Sequence, residues 1–105
     1  MVRGDVHTIT VAGHRGHVQR GRRLAVIVQA DDLLALSTLL VCPTSTSTPA
    51  ASFHPEVVID GASTRVMCEM VGAIHGRVLG GRVAHLTVDD LSRIDEALEL
   101  VLGLG

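Results

Sequence analysis

From Asp5 to Ala12 polar and apolar side chains alternate, the period of a half-buried strand. Gly13 ends that run, and Gly13 to Gly21 reads as a long Gly- and Arg-rich loop. Leu24 to Val28 is short, apolar and β-branched, which predicts a fully buried strand. Asp31 is placed to cap a single helical turn through Leu34. Leu39 to Cys42 predicts the next central strand, which Pro43 should stop because proline cannot donate to the ladder. Thr44 to Ser52 is rich in hydroxyls that compete with the backbone for hydrogen bonds, so it reads as loop. Glu56–Ile59 and Arg65–Val71 read as further strands separated by the Asp60-Gly61 turn signal. Gly80-Gly81 marks another turn, and Val83–Leu86 a last short strand.

At Thr87 the period changes. Thr87 is a good N-cap, and Asp89 and Asp90 fall in the first turn, where the helix dipole favours anions. Leu91, Ile94, Leu98, Val101 and Leu102 recur mostly at spacings of three and four, one apolar stripe of a helix that Gly103 stops. Several short strands followed by one amphipathic helix predict an α+β domain, a compact barrel or half-barrel with the helix packed on it. No internal repeat or linker divides residues 1–105, so one domain is expected.

Composition narrows the picture further. The 105 residues are 47% apolar, enough to bury a core and too apolar for disorder. No apolar run approaches the roughly 18–20 residues that span a bilayer, and the first residues lack the pattern of a signal peptide. No membrane partner and a cytoplasmic location are expected. Cys42 and Cys68 both sit in apolar runs, as buried reduced thiols do in a cytosolic chain. The net charge of −2 speaks against a strongly basic, nonspecific nucleic-acid surface. Its distribution says more. The chain has no lysine, and Arg15, Arg20, Arg22 and Arg23 crowd beside His14 and His17. The acids gather at Asp31–Asp32 and between Asp89 and Glu99, so one face can be basic while the whole is slightly acidic. The plainer alternative is a solvated loop.

No zinc cluster, phosphate loop or nucleophile elbow is present, so neither metal nor cofactor is expected. His14 and His17 lie three apart in a Gly-rich loop, a poor metal pair; acid–base catalysis on RNA and plain solvent exposure both fit them. Arg3-Gly4-Asp5 matches an adhesion tripeptide but opens a strand. Metal-free RNA cleavage needs an activated 2′-hydroxyl, a stabilised phosphorane and a protonated 5′-oxygen. An arginine beside a hydroxyl can stabilise and orient that charge. Arg23, just before the buried strand, and Ser45, after the next, suit the role if strand register brings them together; otherwise both are surface residues.

An ordered set of motifs carries a family resemblance. Arg3-Gly4-Asp5-Val6 opens it. Arg15-Gly16-His17-Val18-Gln19 and Gly21-Arg22-Arg23-Leu24-Ala25-Val26-Ile27-Val28 follow, then Val41-Cys42-Pro43-Thr44-Ser45-Thr46, the stretch Ser63–Ile74, and a tail with Asp95-Glu96-Ala97-Leu98. Together they resemble the MazF/PemK/Kid toxins over nearly the whole chain. The resemblance implies a small SH3-like β-barrel with an amphipathic C-terminal helix and a homodimer. It implies a metal-independent, sequence-selective endoribonuclease that cuts single-stranded RNA, mRNA above all, and is held inactive by a cognate antitoxin bound against the Arg15–Arg23 loop. It puts the catalytic arginine on Arg23 and the catalytic hydroxyl on Ser45, with Thr44 and Thr46 flanking it so that the register stays open by one. Gln19, Arg22, Thr44 and Thr46 fall on substrate-binding positions. The chain departs from the family pattern at Val18 (usually glutamate), Leu24 (proline), Met70 (glutamine) and Gly72 (arginine). His7 replaces an early aromatic, leaving Phe53 as the one aromatic residue. Base stacking on aromatics is thus nearly removed. A second expectation follows from those losses: a toxin-fold binding module, weak or inactive as an enzyme, acting through protein partners as the related CcdB-type toxins do.

Overall fold

The computed structural model describes residues 1–10 and 23–104. Seven strands, β1 (Asp5–Ile9), β2 (Arg23–Ile27), β3 (Thr38–Ser45), β4 (Glu56–Ile59), β5 (Ala62–Val66), β6 (Gly72–His75) and β7 (Leu79–His85), precede one helix, α1 (Val88–Leu102). All pairings are antiparallel. The strand order is β4-β5-β3-β2-β1-β7, with β6 also on β3, and the sheet curls into a half-barrel with α1 packed on it. The class is α+β, as the pattern predicts.

β2 is buried on both faces. Val26 joins Val6, Cys42, Val57, Val66 and Cys68 beneath Ile94 and Ala97 of α1, while Ala25 and Ile27 join Leu39 and Val41 on the other side. That is why Leu24–Val28 shows no alternation. α1 begins with a reciprocal capping box between Thr87 and Asp90 and ends at Gly103 in the left-handed conformation. Ile94 and Ala97 are buried and Leu91, Leu98 and Val101 partly so, but Leu102 is exposed, one position past the stripe.

Four expectations are corrected. Pro43 does not stop its strand; β3 runs through it to Ser45. The Val28 N–H donates to the Leu40 carbonyl, so wide and narrow pairs alternate, and Ala25–Pro43 is a narrow pair that needs no N–H from either residue. The proline nitrogen faces the opposite edge, where β3 changes partner from β6 to β5. Arg65–Val71 is not one strand. β5 ends at Val66, a 3-10 turn spans Cys68–Met70, and β6 begins at Gly72. Partner numbers along β3 sum to 110 with β5 and 113 with β6, so the turn absorbs three residues while both strands keep the same edge. It also seats Cys68 in the core beside Cys42. That neighbouring sulfur and burial push the Cys42 thiol up, and both cysteines are free.

Gly80-Gly81 is not a turn. Both glycines lie inside β7, which follows a 3-10 turn over Gly76–Val78. β7 slips register twice against β1, and a Cβ on Gly80 would collide with the Thr8 hydroxyl. The glycine marks a bulged close approach of two strands. Asp31 is not a cap either. It is the first residue of a 3-10 turn over Asp31–Leu33, and its carboxylate accepts the Arg3 N–H at 2.6 Å. By contrast, Asp60 and Gly61 both take positive φ, the two-residue turn their sequence announces. β1 ends at Ile9, short of the expected strand at Thr10, and the rest of the expected extension, Val11 and Ala12, lies outside the described residues.

Candidate functional site

The register of β2 and β3 decides which side chains meet. Ala25 pairs with Pro43, Val26 with Cys42 and Ile27 with Val41. Continued two residues, the same register sets Arg23 opposite Ser45, again as a narrow pair, the kind that brings side chains closest. Both lie on the face that carries Ala25 and Pro43, at its half-buried end. Among the described residues the Arg23 side chain has no hydrogen-bond partner. The Ser45 hydroxyl accepts the Ser47 N–H at 3.2 Å and lies 3.2 Å from the Ser47 hydroxyl. With one lone pair occupied by the Ser47 N–H, the Ser45 proton can point to the Ser47 hydroxyl or turn toward another acceptor.

The flanking threonines sit differently. Thr44 points to the opposite, helix-covered face, is buried, and donates its hydroxyl to the Leu24 carbonyl at 3.3 Å. Thr46 is exposed just beyond β3. Gln19 and Arg22, with His14, His17, Arg15 and Arg20, lie outside the described residues.

Three groups around this face lie outside the sequence-predicted site. Arg65 pairs with Ser45 across β3 and β5, and with Glu56 across β4 and β5. Its guanidinium donates to the His54 carbonyl at 3.1 Å and approaches the Glu56 carboxylate at 3.5 Å. His54 is 4% exposed; Nδ1 bonds the Pro49 carbonyl at 2.8 Å and Nε2 the Glu69 carboxylate at 2.6 Å. Glu69 first, then the Pro49 carbonyl, hold the imidazole charged above the usual histidine range, against the pull of burial. A cation thus ties the hydroxyl-rich loop to the turn after β5. His7 pairs with Ala25, one row from Arg23 on the same face, and its Nδ1 meets the Gly80 carbonyl at 2.9 Å. Its Nε2 is buried and has no hydrogen-bond partner among the described residues. The Glu56–Arg65 pair is legible in sequence, because the two-residue Asp60-Gly61 turn dictates it. Ser45–Arg65 is not, because it depends on the long-range choice of β5 as partner for β3.

Among the described residues no three His, Cys, Asp or Glu side chains converge as metal ligands would, and no helix is long and apolar enough to cross a membrane.

Residues 2–102 match the model of the PemK-like, MazF-like toxins of type II toxin–antitoxin systems. A Mycobacterium tuberculosis protein named as a toxin, Rv3098A, is 34% identical over 99% of both chains. An endoribonuclease from a mycobacterial species, solved with its cognate antitoxin, superposes with a TM-score of 0.80 at 17% identity, over 100% of this chain and 97% of its own. MazF of Deinococcus radiodurans in a MazE–MazF crystal gives 0.81 at 21% identity, over 100% and 97%. At such identities the structures show the fold; the family is established by the sequence matches. The chain belongs to the PemK-like, MazF-like toxin family of type II toxin–antitoxin systems.

Proposed function

We propose that this chain is a metal-independent, sequence-selective endoribonuclease toxin, a homodimer that cuts single-stranded RNA and is silenced by a cognate antitoxin. The observation that carries the reading is the β2–β3 register, which, continued two residues beyond the Ala25–Pro43 pair, sets Arg23 opposite Ser45. In the reaction the 2′-oxygen attacks phosphorus, the P–O5′ bond breaks, and a 2′,3′-cyclic phosphate and a 5′-hydroxyl form. The proton lost at the 2′-oxygen is matched by one gained at the 5′-oxygen. Negative charge builds on the non-bridging oxygens, where a planar guanidinium from Arg23 and the hydroxyl proton of Ser45 donate together. No metal is required for that stabilisation. Gln19, Arg22 and Thr46 contact the RNA around this pair, while Thr44 shapes its floor from the core side. Support for the antitoxin comes from the similar mycobacterial endoribonuclease, whose structure is a complex with its cognate antitoxin.

The test is direct. Purified toxin, free of antitoxin, is incubated with a long RNA in EDTA, and the cut ends are mapped. Cuts at one recurring short sequence, ending in cyclic phosphate, are expected. An intact RNA, with antitoxin binding preserved, would instead establish a binding module acting through protein partners.

A further inference from the structure

We infer that Arg65 is a second phosphate-contacting guanidinium of this site, one that binds RNA rather than stabilises the reacting phosphorane. The inference rests on the endoribonuclease reading. It follows from one row of the sheet. Glu56 pairs with Arg65, Arg65 with Ser45, and the β2–β3 register sets Ser45 opposite Arg23. Directly paired residues share a face, so Arg65 lies on the Ser45 face, and the continued β2–β3 register sets Arg23 on the other side of that hydroxyl. Backbones of adjacent strands stand roughly 5 Å apart, within reach of two successive phosphates for side chains as long as arginine.

Arg65 is half-buried and held from behind. One nitrogen donates to the His54 carbonyl, and His54 is itself fixed by Pro49 and Glu69. The other nitrogen meets Glu56 at 3.5 Å, and that carboxylate is more than half exposed. An exposed pair at that distance contributes little, so the outward nitrogens remain open to a stronger anion. A phosphate offers a planar guanidinium two acceptor oxygens at once and replaces the weak carboxylate contact. The β2–β3 register, continued past Ala25–Pro43, gives Arg23 a narrow position opposite Ser45, whereas Arg65 faces Ser45 across a wide pair: the Met67 N–H donates to the Pro43 carbonyl two residues away, and the alternation makes Ser45–Arg65 wide as well. The nearer arginine serves the reacting phosphate and the farther one its neighbour.

The experiment measures binding and turnover separately, on an RNA carrying the mapped cut sequence and on the same RNA with a 2′-deoxy nucleotide at the cut. Arg65→Ala should weaken binding roughly ten- to a hundredfold, raise KM with little change in kcat, and lower the salt slope of binding by about 0.7. Glu56→Gln, which removes the competing carboxylate and leaves Arg65 in place, should tighten binding. It decides the matter even if Arg65→Ala folds poorly. Arg77→Ala removes an equal charge elsewhere. If wild type cuts RNA but Arg65→Ala binds normally, if Glu56→Gln fails to tighten binding, or if Arg77→Ala loses as much, Arg65 is structural and the inference falls alone. If wild type neither binds nor cuts RNA, the endoribonuclease reading falls and takes this inference with it.

Discussion

Arg23 and Ser45 make the sharpest claims at the scale of single residues. Arg23→Lys keeps the charge and loses the planar fork, so kcat should fall roughly two to three orders of magnitude, as when a preorganised charge-stabilising donor is lost. Ser45→Ala should also slow cleavage, and Ser45→Thr should keep it, because a hydroxyl stays at the same place. Thr44 separates the candidates by a different readout. Its hydroxyl is buried against the Leu24 carbonyl, so Thr44→Val should cost about 1 kcal/mol in urea unfolding and leave the rate nearly unchanged. Thr46→Ala should affect RNA affinity and little else. If Arg23→Ala cuts at full rate while His14→Ala or His17→Ala is dead, histidine acid–base chemistry replaces this mechanism.

Among the elements, β3 organises the rest: it takes β2 along one edge, and β6 then β5 along the other. β7 shows how tightly the sheet is built. A Cβ at Gly80 would strike the Thr8 hydroxyl and press on the Thr8 carbonyl. Gly80→Ala should therefore destabilise the protein by about 1–3 kcal/mol, the usual cost of overpacking. Adding Thr8→Ala should recover part of it, since the nearest obstacle is that side chain. A thermodynamic cycle of the two variants checks this, and additive effects would place the strain elsewhere. These two strands also show what sequence can and cannot say. Local rules found α1, the Asp60-Gly61 hairpin and the buried β2, because each is specified by residues a few positions apart. They misplaced Pro43, Gly80-Gly81 and Arg65–Val71, where the local signal for a break was overruled by a distant partner. A proline is tolerated in a narrow pair, a glycine pair marks a close approach, and a three-residue turn lets one edge change strands. The candidate site divides the same way. The family motifs pointed to Arg23 and Ser45 as candidates, while Arg65 and His7 come to that face by sheet register and His54 by its hydrogen bonds to Pro49, Glu69 and Arg65.

For the whole molecule, contacts distant in sequence join helix to sheet. Arg3 bonds Asp95 of α1 and the Val28 carbonyl, and Arg93 of α1 bonds the Glu56 carbonyl, while Asp5 bonds His85 within the sheet, between β1 and β7. Leu36, Leu40, Val58 and Met70 remain exposed in the single chain, in keeping with the homodimer proposed above. Light scattering at micromolar concentration should give twice the chain mass, and a monomer would contradict the proposal. Two buried groups then set how stability depends on pH. Asp5 is nearly inaccessible. Burial alone would raise its pKa, but the Val2 N–H at 2.9 Å, His85 at 2.8 Å and Arg82 at 3.7 Å together hold it below the usual 3.8. A folded value below the unfolded one means that the unfolded chain takes up the proton first. The contribution is complete above 3.8 and disappears as pH falls through the folded value. His54 has the opposite sign. Glu69 raises it above the usual 6.5, so its contribution is complete below 6.5 and disappears as pH rises through the folded value. Melting temperature should therefore be highest between those two usual values and decline on both sides. Asp5→Asn should flatten only the acid limb and Glu69→Gln only the alkaline one. The alkaline decline loosens the tie between Pro49 and the turn after β5, the support on which Arg65 rests, so RNA affinity should fall with it and Glu69→Gln should remove that coupling.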